Sequence, residues 1–380
     1  MDEQNLALAR RNKERAMELG AAYFHEFYNP LSQELLFHSP GEKKLASCWE
    51  YIGLMEMTDK LAYLDPDNIP LMETVIKGLE YYGYLKDGKL WGYVVNRGET
   101  PRGATDPGLA FDDNEWLIIN FLRAYEITGD KRHLEKAEYL TDFLIREAWF
   151  EPLGGMYWDS RKHARHSCSN NPLIKPLVDL YKHTGKEDYL VWAKKIYEFS
   201  VHNLKDQKLN IYEDLICAKQ QPDGTWVEGD PSGTGFYTYN TGTMISGAAA
   251  LYGVTGEQKY LDEALSCAKG AYDYFGDKTV KEGYVEWPVS TTIWFNCILL
   301  KGYIDLYPYA KEEALTYISA YQTAMDYAYE HYLKDGFLPV DWLRGWREDV
   351  PKDTYKEALD HSSNVEMYAL LSIFESEVKE

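Results

Sequence analysis

The chain has 380 residues, 45% of them hydrophobic and 15% aromatic, with a formal net charge of −21. That is enough to bury a sizeable core in one large domain or two ordinary ones. The negative field excludes nucleic acid and anionic membranes as partners and makes a neutral ligand the better fit.

In chain order, the first twenty residues, MDEQNLALARRNKERAMELG, are charged throughout and lack the apolar core of a signal sequence. No stretch reaches transmembrane length. A cytoplasmic protein is expected, with secretion the alternative should a signal have been trimmed away. Apolar periodicity predicts twelve helices, near 4–28, 45–63, 68–83, 113–127, 131–148, 167–183, 186–203, 237–252, 257–275, 291–306, 309–332 and 361–375. No convincing strand run stands out. No Pro/Gly/Ser-rich linker divides residues 1–380, so a single domain is expected.

Three junctions share a pattern: Thr128-Gly129-Asp130, Thr184-Gly185-Lys186 and Thr255-Gly256-Glu257. Each glycine is placed to close one helix in a left-handed cap before the next begins. Links from even to odd helices are short. Links from odd to even are mostly long: 84–112, 149–166, 204–236, 276–290 and 333–360. In an up-and-down arrangement all the long links gather at one end. Six hairpins closed into a ring make an all-α (α/α)6 barrel, and long loops on a rigid scaffold are where binding and catalysis concentrate.

The even helices start at that end. Their first turns read Ser47-Cys48-Trp49-Glu50, Asp112-Asp113-Asn114, Ser167-Cys168-Ser169-Asn170, Tyr237-Thr238-Tyr239-Asn240, Ser290-Thr291-Thr292 and His361-Ser362-Ser363-Asn364. Small polar residues are ordinary helix caps. In a closed ring the same turns converge on one cavity. The most informative is Phe111-Asp112-Asp113-Asn114-Glu115-Trp116. Asp112 and Glu115 match a capping box. Two carboxyls beside a tryptophan also suit sugar cleavage, which needs one charged and one protonated carboxyl against an apolar wall. The two roles can coexist. Adjacent Cα atoms lie ~3.8 Å apart. Carboxyls diverging from a helix start can sit about 5 Å apart, the separation of a retaining glycosidase.

FDDNEW at 111–116, GGMYW at 154–158, SCSNN at 167–171 and YTYNTG at 237–242 together resemble glycoside hydrolase family 76, the α-1,6-mannanases with an (α/α)6 barrel. The resemblance runs from about the second helix to the last. It implies a retaining hydrolase of α-mannosidic linkages, endo-acting on α-1,6-mannan or manno-oligosaccharides, with no cofactor and no metal. It makes Asp112 the nucleophile and Asp113 the acid/base. Asn170, Tyr239 and Asn240 match groove positions. Thr241 stands where the family often has Gln, which bears on the substrate more than on the reaction type.

Other residues carry weaker signals. Trp158 reads as a sugar platform or as packing over the barrel mouth, Trp49 as a subsite wall and Trp116 as core. Asp214 reads as a solvated loop acid ahead of a sugar contact. His163 and His166 straddle a loop–helix boundary with no third ligand, so polar surface or groove contacts are expected rather than a metal site. Cys48, Cys168, Cys217, Cys267 and Cys297 lack C-x-x-C spacing and read as free thiols. Two other function classes suit a helical barrel. One is a sugar 2-epimerase, which would use cavity histidines such as His361. The other is a glycan-binding barrel without turnover. The oligomeric state is not legible.

Overall fold

The computed structural model describes residues 3–41, 43–98, 109–288, 292–344 and 356–377. Its described residues form twelve α-helices: α1 Glu3–Phe27, α2 Cys48–Leu64, α3 Ile69–Gly78, α4 Phe111–Thr128, α5 Lys131–Ala148, α6 Asn171–Thr184, α7 Glu187–Asn203, α8 Thr238–Thr255, α9 Gln258–Phe275, α10 Trp294–Leu306, α11 Lys311–Tyr332 and α12 Ala358–Glu377. All twelve fall on predicted periods. Some ends move for local reasons. The end of α3 tightens into a 3-10 turn over Leu79–Tyr82, and α6 is preceded by one over Ser167–Ser169. Because α12 starts at Ala358, His361 lies a turn inside it rather than at its mouth. Ser290 and Thr291 lie outside the described residues.

The Thr-Gly junctions form as predicted and use both residues. Gly129, Gly185 and Gly256 sit at φ 71°, 71° and 66°, closing α4, α6 and α8 in left-handed caps. The threonine before each glycine bonds in two directions. Thr128 donates to the Ala124 carbonyl (2.7 Å) and accepts from the Asp130 amide (3.1 Å). Thr184 does the same with Leu180 and Lys186, and Thr255 with Leu251 and Glu257. One hydroxyl thus ends a helix and orients the start of the next.

Contacts group the chain into two compact units. One comprises Met1–Tyr81, Phe275–Leu300 and Leu315–Glu380, the other Tyr82–Tyr274 and Lys301–Ala314. In the first, α12 packs against α1 and α2. Every residue from Ala358 to Ser372 is buried. Gly53 on α2 allows that approach, since a Cβ there would meet the Ser362 hydroxyl at 2.8 Å. In the second, α6 packs against both α4 and α8. Residues Thr238–Leu251 of α8 are all buried, whereas α5 buries a single stripe that includes Ala137, Leu140 and Leu144. A Cβ on Gly247 of α8 would meet Ile174 of α6 at 2.9 Å.

The absence of strands was the wrong expectation. The described links hold six two-stranded antiparallel ribbons: Tyr28–Asn29 with Glu34–Leu35, His38–Ser39 with Lys356–Glu357, Gly83–Lys86 with Lys89–Tyr93, Arg165–His166 with Leu215–Ile216, Lys205–Asp206 with Ile211–Tyr212, and Ala218–Gln220 with Trp226–Glu228. Strands of two to five residues are too short to show an alternating pattern. Among the described residues no helix is long and apolar enough to cross a membrane.

Candidate active site

The site lies in the second unit, at the start of α4. This helix does not begin with the capping box that Asp112 and Glu115 suggest. Ala110 is the cap residue and makes no side-chain cap bond. The start is held by Asn114, whose amide accepts from the Tyr93 N–H (2.9 Å) and donates to the carbonyls of Tyr93 and Ala110 (2.9 Å each). Glu115 turns inward. It is fully buried, and neither of its oxygens has a hydrogen-bond partner. Burial, reinforced by Asp112, pushes its carboxyl well above the ordinary range.

The GGMYW segment reaches α4 through the backbone. The Phe111 N–H donates to the Trp158 carbonyl at 2.8 Å. This aims the Trp158 indole N–H at Asp112 Oδ2, 2.9 Å away. Cys168 Sγ lies 3.5 Å from the same oxygen, and the Asp113 amide lies 3.0 Å from Oδ1. The Asp112 carboxyl is pushed up to about 6, chiefly by burial. The bonds from Trp158, Cys168 and the Asp113 amide, together with nearby His166, act against that rise. Asp113 is buried beside it. Trp158 is 37% exposed, with the His166 ring and the Arg161 guanidinium beside its indole.

Two residues with only weak signals in the sequence join this group. The ribbon pairing His166 with Leu215 carries Asp214 in from the long 204–236 link. His166 Nδ1 stands 3.5 Å from Asp214 Oδ2, and the His166 ring lies 5.0 Å from that of Trp158. Asn240 donates to Asp214 Oδ1 at 3.3 Å. Asp214 is therefore a held, partly buried acid, not the solvated loop acid expected. No local signal could have found it, because the ribbon that positions it joins two links.

The other candidates separate. Asn170 is fully buried, and its amide is committed to the backbone: it accepts from the Met156 N–H (2.7 Å) and donates to the carbonyls of Met156 (3.1 Å) and His166 (2.7 Å). It anchors the GGMYW segment from behind. Tyr239 is buried and hydrogen-bonds Cys168. Asn240 keeps a buried Oδ1 with no partner. Trp49 belongs to the first unit, where its ring stacks on Phe295 at 6.0 Å and meets Trp294 edge-on. Trp116 is core. His361, in the first unit, packs between Phe27 and Phe337, and burial pushes it down to about 3. Among the described residues no group of three or more His, Cys, Asp or Glu could hold a metal ion.

Paired carboxyls beside a partly exposed tryptophan suit the chemistry of a glycoside hydrolase. The chain belongs to glycosyl hydrolase family 76, whose model matches residues 72–369. It has the (α/α)6 fold of that family. A family 76 mannosidase from Bacteroides thetaiotaomicron is 25% identical, with 97% of this chain and 99% of that one covered and a TM-score of 0.83. The Salegentibacter α-1,6-mannanase, solved as an inactive variant with α-1,6-mannotriose, shares the fold at 21% identity, with 96% and 99% covered and a TM-score of 0.76. The mannan endo-1,6-alpha-mannosidase of Saccharomyces cerevisiae is 27% identical over 60% of this chain and 45% of its own length. The chain thus spans less than half of that curated relative, and a quarter of its counterpart in Candida albicans.

Proposed function

We propose that the protein hydrolyses α-1,6-mannosidic linkages within mannan chains and retains anomeric configuration, with Asp112 as nucleophile and Asp113 as acid/base. The observation that carries this is the Asp112 carboxyl. It is partly buried at a helix start, held through one oxygen by two donors, and charged above about pH 6. A helix N-terminus favours that charge. Asp112 attacks the anomeric carbon as the bond to the leaving oxygen breaks, and Asp113 gives that oxygen its proton. Asp113 then takes a proton from water, whose oxygen displaces Asp112 from the sugar, and both carboxyls return to their starting states. The partly exposed Trp158 offers a platform for a sugar ring. The α-1,6 linkage is supported by the relatives, which include mannan endo-1,6-alpha-mannosidases. In the inactive Salegentibacter variant, two neighbouring aspartates are replaced by asparagine. We further propose a cytoplasmic location, supported by five cysteines that are all free thiols.

The test separates the two aspartates. Asp112→Asn is expected to abolish turnover of every substrate. Asp113→Asn should lose ~10²–10⁴-fold on mannan, the usual worth of general acid–base help. On an aryl mannoside it should give a burst and then slow turnover, which added azide accelerates. Near-normal activity of both variants on α-1,6-mannan would remove the pair from catalysis.

A further inference from the structure

Cys168 and Trp158 reach the same oxygen of Asp112 from different segments, one from the 3-10 turn before α6 and the other from the GGMYW segment. Cys168 is buried, and its thiol is itself hydrogen-bonded by the Tyr239 hydroxyl at the start of α8. The order is thus Tyr239 to Cys168 to Asp112. We infer that Cys168 is a positioning residue whose thiol, as the middle donor of this chain, holds the Asp112 carboxylate in place and in its charged form; the inference rests on the proposed role of Asp112 as nucleophile. Burial, with Asp112 and Asp214 nearby, pushes the thiol well above its ordinary range. It therefore keeps its proton and acts as a donor, not as a nucleophile of its own. A donor to the charged form favours that form, so its removal makes Asp112 harder to ionise.

Other titratable groups also face Asp112. Asp113 and Glu115 lie on its own helix, His166 on the ribbon before α6, and Tyr239 on α8. Asp214 faces both Cys168 and Tyr239. The experiment therefore varies only the donor. kcat/KM for an α-1,6-manno-oligosaccharide is measured from pH 4.5 to 8 for wild type, Cys168→Ala and Cys168→Ser, with thermal melts alongside. The acidic limb of the alanine variant is expected to move upward by roughly half a pH unit. Serine, which keeps a donor, should leave the limb near its wild-type position. Cys168→Val fills the thiol's space without a donor and answers the same question if the alanine variant melts early. An unmoved limb in both donor-free variants overturns the inference, as does a serine limb displaced as far as alanine's. Asp112→Asn is measured beside them. If it stays active, the assignment of Asp112 itself fails. If it is inactive while the donor-free limbs stay in place, only the role of Cys168 fails.

Discussion

At the scale of single residues, Trp158 serves two purposes that substitution can separate. The residue is partly exposed and its N–H holds Asp112. Trp158→Phe keeps a ring and loses the donor. It should lower kcat by about tenfold, as expected for a lost bond to a charged group, and raise the acidic limb above about pH 6 with little change in KM. Trp158→Ala should raise KM as well. Steady-state kinetics across pH distinguish these outcomes, and a phenylalanine variant that changes KM alone would reduce Trp158 to a platform. The aspartates were legible in the sequence because two adjacent carboxyls and a helix start are local features. Asp214 and His166 were not, because their meeting depends on a ribbon between two long links. The capping-box pattern at Asp112 and Glu115 misled because it fits equally a helix that starts two residues earlier and turns its glutamate inward.

At the scale of elements, glycines with similar backbone angles have different consequences. Gly185 sits at φ 71° with nothing within 4 Å of a would-be Cβ, so Gly185→Ala carries only the left-handed backbone penalty. It should cost about 1–2 kcal/mol in denaturant melts and leave kcat unchanged. Gly155 sits at φ 84°, and a Cβ there would meet the Phe199 ring at 2.4 Å. Gly155→Ala must displace the segment that carries Trp158, so stability and kcat should fall together. An alanine variant at Gly155 with normal kcat would show that this segment does not set the Asp112 geometry. The helices and their Thr-Gly junctions were legible because period and cap residues lie within one stretch of chain. The ribbons were not, since each depends on a partner elsewhere in the same or another link.

For the whole molecule, acid acts on stability with two signs. His361 stays neutral in the folded state down to about pH 3, while in the unfolded chain it takes up a proton near its ordinary 6.5. Acid therefore favours the unfolded state through this residue between those values. Its neighbour Asp360 is pushed up to about 6, chiefly by burial, from an ordinary 3.8. Between those two values the folded state binds the extra proton, so acid favours folding through Asp360. Urea melts at pH 7 and pH 5 read both. Relative to wild type, His361→Gln should gain roughly 2 kcal/mol on acidification and Asp360→Asn should lose roughly 1 kcal/mol. Parallel pH profiles for all three proteins would show that neither burial sets a proton affinity.

The first unit is assembled from both ends of the chain, and this has a consequence during synthesis. Its buried helix α12 begins roughly 290 residues after α2 ends. At translation speeds of ~5–20 residues per second, α1 and α2 wait roughly 15–60 s on the ribosome before the helix that covers them emerges. The second unit, Tyr82–Tyr274 with Lys301–Ala314, is synthesised in full before α12 emerges, so it can fold while the older N-terminal segment still has apolar surface uncovered. The N-terminal helices are therefore the part of the nascent chain most in need of a chaperone. A premature stop before Ala358 removes the most enclosed helix of the first unit and leaves the partners it would have covered exposed.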